Sequence, residues 1–246
     1  MGPHSADWYH RAFSESYRLI YPHRDDEAGA REVSDLLNTL ALAVDSPMVL
    51  DVGCGTGRHA VALAEAGLRI IGVDLSTELL GTAAIRPALK GRLVTGDMRC
   101  LPFTQTFRLV VSLFTSFGYF EDDQNVATLR EMARVLVPGG VIVVDHVNAE
   151  RLEKELVAHD RRVGHGYVVD QRRRIQGRRV RKNITVTRDD GSTEEFVEDV
   201  RLYRPHELAA LMRVAGFRDV RYYGSYAGTP YDTRSDRMIA VAWKRA

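Results

Sequence analysis

Apolar residues recur along the chain at two periods, and the period changes at identifiable breaks. Over residues 27–44, Val33, Leu36, Leu37, Leu40 and Val44 fall at helical spacing, which predicts an amphipathic helix. Ser46-Pro47 breaks it, because proline removes a backbone donor and restricts the residue before it. Short apolar runs then alternate with helical patterns. MVLDV (48–52), RIIGVD (69–74), RLVTG (92–96), FRLVVSLF (107–114) and VIVVDHV (141–147) read as buried strands. Between them, His59–Ala66 reads as a helix closed by Gly67, and Ser76 is placed to cap a helix carrying Leu79, Leu80, Ala83 and Ala84. A further helix has Val126, Leu129, Met132, Ala133 and Leu136 on one face and is ended by Pro138-Gly139-Gly140. Strands alternating with helices predict an α/β fold, a parallel sheet with helices on both faces.

Residues 150–205 leave this rhythm. A short helix is predicted around Leu152–Leu156, and residues 167–203 read as antiparallel strands with Asp190-Gly191 as a turn. The helical pattern resumes at Pro205–Val214, with Leu208, Leu211 and Met212 inward and Gly216 as the stop. FRDVRYYG (217–224) and RMIAVAWK (237–244) read as two closing strands. A single domain over 1–246 is expected, in four parts: an N-terminal helical segment (1–45), an α/β core (46–148), a β-rich insertion (149–205), and the closing helix and strands (206–246).

Composition narrows the class. A length of 246 residues suits one large domain, and 45% apolar with 27% charged residues describes a globular chain. Thirty-four Lys+Arg against 33 Asp+Glu leave a formal charge of +1, which gives no whole-protein argument for nucleic acid or an anionic membrane. No apolar stretch approaches the ~18–20 residues of a membrane span. MGPHSADWYH has no hydrophobic signal core, so a cytoplasmic setting is expected. Two cysteines, Cys54 and Cys100, make neither a disulfide framework nor a four-cysteine zinc site, and no cluster has convincing metal-ligand spacing.

The chemistry concentrates in VLDVGCGTGRHA (49–60), which joins a predicted strand to a helix through Gly53, Gly55 and Gly57. Glycines there let the backbone turn sharply and approach a ligand, and the helix start favours a negative group. A dinucleotide fingerprint wants G-x-G-x-x-G, but Arg58 holds its third slot; a phosphate loop wants G-K-[ST], which is absent. Asp74 ends the second strand, where ligands bind in doubly wound sheets and a carboxylate can accept from both ribose hydroxyls.

VLDVGCGTG, GVDLS, TGDMRCLPF, an apolar strand and LVPGG, in this order, resemble a class I S-adenosylmethionine-dependent methyltransferase of the small-molecule type. The resemblance covers residues 45–148 closely and the closing strands loosely. It implies a doubly wound, Rossmann-like seven-stranded sheet with the last strand antiparallel, and S-adenosylmethionine as cofactor. It also implies that Asp51 braces the glycine loop and the amino group of the methionine tail, with Gly53 and Gly55 beside that tail. Asp74 corresponds to the ribose-binding acid, Leu75 to a neighbour of the adenine, and Asp97 with Met98 to the pair at the adenine edge. Leu113 or Phe114 should flank the cofactor.

GDMRCLPF, LFTSFGYF and SESYRLIYPHRDDEAGAREV are similar in style to glycine-type and deoxyaminosugar N-methyltransferases, in which an N-terminal segment covers the cofactor as a lid. By that resemblance Tyr17 and Tyr21 cover the cofactor tail and Arg24, with His23 beside it, meets its carboxylate. Tyr119 stands where the aminosugar enzymes tend to carry a histidine, a departure that puts an amine acceptor in question. Tyr119 and His146, which follows the fifth strand, are the candidate catalytic groups, and Asn148 is expected to point the same way. Tyr226, Tyr231 and Arg234 are placed in a polar loop that either lines the acceptor site or merely connects two strands.

The insertion is expected to cap the acceptor pocket. Its basic run, from Arg161 and Arg162 through Arg172–Arg174 to Arg178, Arg179, Arg181 and Lys182, is followed by Glu194, Glu195, Glu198 and Asp199, which suits cross-strand pairing in a solvated sheet. The expected activity is methyl transfer to an O, N or C atom of a small-molecule metabolite or natural product. The rivals are an RNA (tRNA) methyltransferase using the basic insertion and a non-catalytic S-adenosylmethionine-binding module. A nucleic acid partner is disfavoured, no membrane partner is expected, and a homodimer is suggested by the resemblance alone.

Overall fold

The computed structural model describes residues 8–13, 16–22, 25–41 and 47–245. Its core sheet forms where the apolar runs are shortest and most β-branched. The strands are β1 (Met48–Val52), β2 (Arg69–Asp74), β3 (Leu93–Thr95), β4 (Phe107–Ser112), β5 (Leu136–Val147), β10 (Phe217–Tyr223) and β11 (Arg237–Lys244). Their order is β10-β11-β5-β4-β1-β2-β3. All neighbours from β5 to β3 run parallel, and β11 runs antiparallel to both β5 and β10. The order reverses at β1, which pairs with β2 on one side and β4 on the other, the crevice where ligands bind in such sheets.

Strand alternation sends side chains to two cores. Leu50, Val110, Ile142 and Val144 face α6 (Asp122–Val135) and α8 (Pro205–Val214), meeting Leu129, Met132, Leu208 and Met212. Val49, Leu109, Val111, Val141 and Val143 face α3 (Asp26–Leu40) and α4 (Arg58–Glu65), meeting Val33, Leu36, Ala60 and Leu63. Ser76 caps α5 (Thr77–Ala84), accepting from Leu79 N. The long helix ends at Leu40, and the expected Val44 lies outside the described residues.

Two boundaries differ from the sequence expectation. The helix expected from Val126 starts at Asp122 and stops at Val135, so Leu136 belongs to β5. Pro138-Gly139-Gly140 lies inside that strand. Gly139 takes φ 69°, and the register against β4 shifts between Phe107 and Leu109. The turn residues make a bulge on the ladder instead of ending it.

After α7 (Ala149–Glu155), the insertion forms a separate antiparallel sheet of β6 (His159–Gly164), β7 (Tyr167–Gln176), β8 (Arg179–Arg188) and β9 (Thr193–Arg201), in that order. Gly191, at φ 81°, sits in the expected turn between β8 and β9. Arg181 lies opposite Asp199 and Lys182 opposite Glu198, so part of the basic run does meet acids across the strands. Arg179 pairs with Asp199 at 2.6 Å and Lys182 with Glu198 at 3.1 Å.

The short N-terminal helices α1 (Tyr9–Ala12) and α2 (Tyr17–Ile20) join the two sheets. Ile20 and Tyr21 pack on Val169, Ile184, Val186 and Phe196 of the second sheet, while Trp8, Tyr9 and Ala12 pack on Phe120 of the core. The second sheet is also tied to the loop after β4: Arg201 N donates to Gly118 O at 2.8 Å, and Arg179 donates to the Tyr119 and Phe120 carbonyls. No helix among the described residues is long and apolar enough to cross a membrane.

Candidate functional site

Two adjoining cavities open at the carboxyl ends of the core strands. The first, ≈ 910 Å³, takes its floor from the loop after β1 and the ends of β2, β3 and β4. Gly53, Gly55, Asp74, Leu75, Asp97, Met98 and Leu113 all line it, as does Phe114. Tyr9, Phe13 and Tyr17 roof it.

The glycine loop needs glycine at its first position. Gly53 has φ 76°, and a Cβ there would stand 2.7 Å from the Ser116 Cβ. The loop is stitched to β2, since Gly53 N and Cys54 N both donate to Val73 O. Asp74 is oriented by the same backbone: its Oδ2 accepts from Gly55 N at 2.7 Å and its Oδ1 from Ser76 N at 2.9 Å. Each oxygen keeps acceptor capacity for another donor. Burial raises the Asp74 pKa, and the backbone donors oppose that rise.

Asp51 lies beneath this loop, 1% exposed and outside the cavity lining, and its Oδ2 has no hydrogen-bond partner. Burial, reinforced by the Asp74 charge, pushes its pKa up to about 7. Asp97 is the opposite case. Burial would raise its pKa, but the hydrogen bonds and charge of Arg99, 2.7 Å away, together lower it. Arg99 in turn meets the Tyr9 hydroxyl and lies over the Phe120 ring.

The second cavity, ≈ 790 Å³, lies between the core and the second sheet. It shares Phe13, Phe114 and Tyr119 with the first. Its far wall carries Arg173, Lys182 and Glu198. Tyr21 donates to both Glu198 oxygens at 2.6 Å and accepts from Lys182 Nζ.

The partition between the cavities is held under strain. Phe114 and Thr115 have φ 54° and 64°, a conformation costing non-glycine residues ~1–3 kcal/mol each. Asp145 holds it. Its Oδ2 accepts from Phe114 N at 2.7 Å and from the Tyr226 hydroxyl, and its Oδ1 accepts from Arg237 Nε at 2.7 Å. Arg237 also donates to Thr115 Oγ1 at 2.6 Å, and the Arg58 and Arg237 guanidiniums lie 4.6 Å and 5.0 Å from the Phe114 ring centre.

Several expected residues sit elsewhere. His146 lines neither cavity: it is fully buried against Tyr203, beside Gly118, and burial lowers its pKa to about 4. The alternation of β5 explains this, because Asp145 faces the partition and His146 the opposite side. Tyr21 lines the second cavity, not the first, drawn there by Glu198 and Lys182. Arg24 and His23 lie outside the described residues. Asn148 caps α7 and donates to Asp232 O and Ser235 O, while Tyr226, Tyr231 and Arg234 line neither cavity. Tyr119 is at the shared wall, edge-on to Trp8 at 5.1 Å.

The sequence alone gives no cavity role to Arg58, Tyr9, Phe13 and Ser116 in the first cavity or to Arg237 in the second, and it names Lys182 and Glu198 only as members of the insertion's basic and acidic runs. The available signals were the arginine directly after the glycine loop and the aromatic density of the N-terminal segment. No described group of three His, Cys, Asp or Glu side chains could hold a metal ion.

Residues 49–140 match the family described as a methyltransferase domain. The cypemycin N-terminal methyltransferase of a Streptomyces species is 33% identical over 218 residues, which cover 80% of this chain and 83% of that protein. The fold matches that of the CcbJ methyltransferase from Streptomyces caelestis with a TM-score of 0.79 and 21% identity, covering 96% of this chain and 99% of that one. SAM-bound CalS10, an amino pentose methyltransferase from Micromonospora echinaspora involved in calicheamicin biosynthesis, aligns with a TM-score of 0.67 and 26% identity over 94% of this chain and 97% of that one. The chain belongs to the S-adenosylmethionine-dependent methyltransferases, with the seven-stranded Rossmann-like sheet of that family.

Proposed function

We propose that the chain methylates an amine nitrogen of a small molecule bound in the second cavity. The observation that carries this reading is the wall shared by the two cavities at Phe13, Phe114 and Tyr119, across which a second ligand would lie directly beside the first. Glu198 is the acidic side chain among the described residues lining the second cavity. A carboxylate there can accept from an amine N–H and turn the nitrogen lone pair toward the donor. The names of the relatives fit: one is the cypemycin N-terminal methyltransferase, another an amino pentose methyltransferase.

The first cavity suits S-adenosylmethionine, which when bound supplies an electrophilic methyl group on a sulfonium. Asp74 would accept from the ribose hydroxyls, using the capacity its two backbone donors leave. Asp97 and Met98 would meet the adenine edge, with Leu75 and Leu113 against apolar faces. The orphaned Oδ2 of Asp51 would gain a partner in the ammonium group of the methionine tail. Gly53 and Gly55 would let the backbone come close to that tail. Tyr17, with Tyr9 and Phe13, would exclude water from above.

In this reading, rate comes mainly from holding nitrogen and methyl in line, a contribution of up to ~7–11 kcal/mol. His146, neutral and walled off, takes no proton in this scheme. Tyr119 serves as wall and acceptor guide. The reading is tested by offering amino sugars, amino-terminal peptides and their deaminated hydroxyl counterparts with S-adenosylmethionine. Formation of S-adenosylhomocysteine and a product one methyl heavier is expected with amines alone. Transfer to the hydroxyl counterparts at equal rate would overturn it.

A further inference from the structure

The tail of the donor also carries a carboxylate, and the structure holds an arginine suited to it. Arg58 opens α4, directly after the glycine loop, and lines the first cavity although it is only 7% exposed. Its Nη1 lies 2.8 Å from Glu32 Oε2, yet that contact is off the N–H axis. Neither Nη atom makes an aligned hydrogen bond. Glu32 Oε2 is shared between this ion pair and His59 Nε2 at 2.6 Å. A guanidinium has five N–H donors in a fixed fork, and buried donors without acceptors are costly.

Two further features point the same way. The guanidinium carbon lies 4.6 Å from the centre of the Phe114 ring, which fixes the side chain in place. Gly57 gives α4 no side-chain cap, and the first intrahelical donor is Val61 N, bonded to Gly57 O. Gly57 N donates to Cys54 O, and the first-turn amides between it and Val61 have no intrahelical acceptor, with the helix dipole behind them.

We propose that Arg58 is the subsite for the carboxylate of the cofactor's methionine tail, with Asp51 taking the ammonium on the other side. Arg24, assigned this role by resemblance in the sequence, is the competing candidate. The proposal rests on the cofactor of the family and not on the nature of the acceptor, so it is tested without any acceptor. Three ligands separate the parts: S-adenosylhomocysteine, its decarboxylated analogue, and methylthioadenosine, which lacks the whole amino-acid tail.

In the unmodified protein, calorimetric titration should show the decarboxylated analogue binding at least about tenfold more weakly than S-adenosylhomocysteine, as expected for a lost charge-assisted bond. Equal binding of the two overturns the proposal with no mutation needed. In Arg58→Met, S-adenosylhomocysteine should lose about 10- to 100-fold while methylthioadenosine stays unchanged, and the gap between acid and decarboxylated ligand should close. Arg58→Lys should restore part of that gap. A gap that persists in Arg58→Met, or closes in Arg24→Met instead, moves the subsite away from Arg58. Equal loss of all three ligands reduces Arg58 to a packing role and also overturns the proposal.

Discussion

The two cavities are built in different ways. The first draws its floor from consecutive strand ends between Gly53 and Phe114, each placed by the local rule that a strand delivers its last residues to one edge of a parallel sheet. The second draws Tyr21 from the N-terminal segment, Phe114 and Thr115 from the loop after β4, Lys182 and Glu198 from the inserted sheet, and Arg237 from the last strand. A donor common to a whole family can be held by local geometry. In the proposed reading, an acceptor that varies between relatives would be held by distant segments, which can change without disturbing the floor.

Four experiments can break or sharpen this division. The largest expected effect is from Gly53→Val. Its Cβ would meet Ser116 at 2.7 Å in a backbone at φ 76°, so S-adenosylhomocysteine affinity should fall by about a hundredfold or more. Calorimetry with a thermal melt separates this from unfolding, and wild-type affinity would show that the loop does not touch the tail. Next comes Asp74→Asn, which removes a charged acceptor while preserving shape. A loss of roughly 10- to 100-fold in affinity is expected, with 2′,3′-dideoxy analogues insensitive to the change.

The third concerns pH. Asp51, raised to about 7 by burial and by Asp74, must be ionised to pair with an ammonium group. Affinity should therefore rise with pH, by about tenfold from pH 6 to pH 8, and level off above. Titrations across that range should show a slope that vanishes in Asp51→Asn; a slope of the opposite sign would refute the pairing. The smallest expected effect belongs to Glu198→Gln, about fivefold in acceptor kcat/KM with donor affinity unchanged. If it altered donor affinity instead, the two cavities would not be separable.

What the sequence made legible follows the same division. Asp74 reaches the first cavity because a strand of six residues ends there, and a glycine loop precedes it by a fixed distance. Gly53, Gly55, Asp97 and Met98 reached the cavity for the same reason. His146 failed as a reading because the end of a strand does not say which face its last residues take; one position decides between the partition and the core. Tyr21 failed because its destination depends on Glu198, more than 170 residues away. The sequence puts Lys182 in a basic run and Glu198 among the acids of the next strand, in a solvated sheet, since nothing in the alternation of β8 and β9 says that α2 will cover that face. The bulge at Gly139 was hidden because Pro-Gly-Gly has the composition of a terminator and the geometry of a kink.

The N-terminal segment roofs both cavities at once. Phe13 lies in both linings. Its carbonyl is pinned by Ser76 Oγ at 2.6 Å, and Ser16, three residues later, is pinned by donating to Glu194 at 2.8 Å. A shared roof ties two exchanges into one event. In the proposed reading, spent donor could not be replaced without unsealing the chamber that would hold the methylated product. Successive methylations of one nitrogen would then be distributive, with the singly methylated species accumulating in free solution before any doubly methylated one appears.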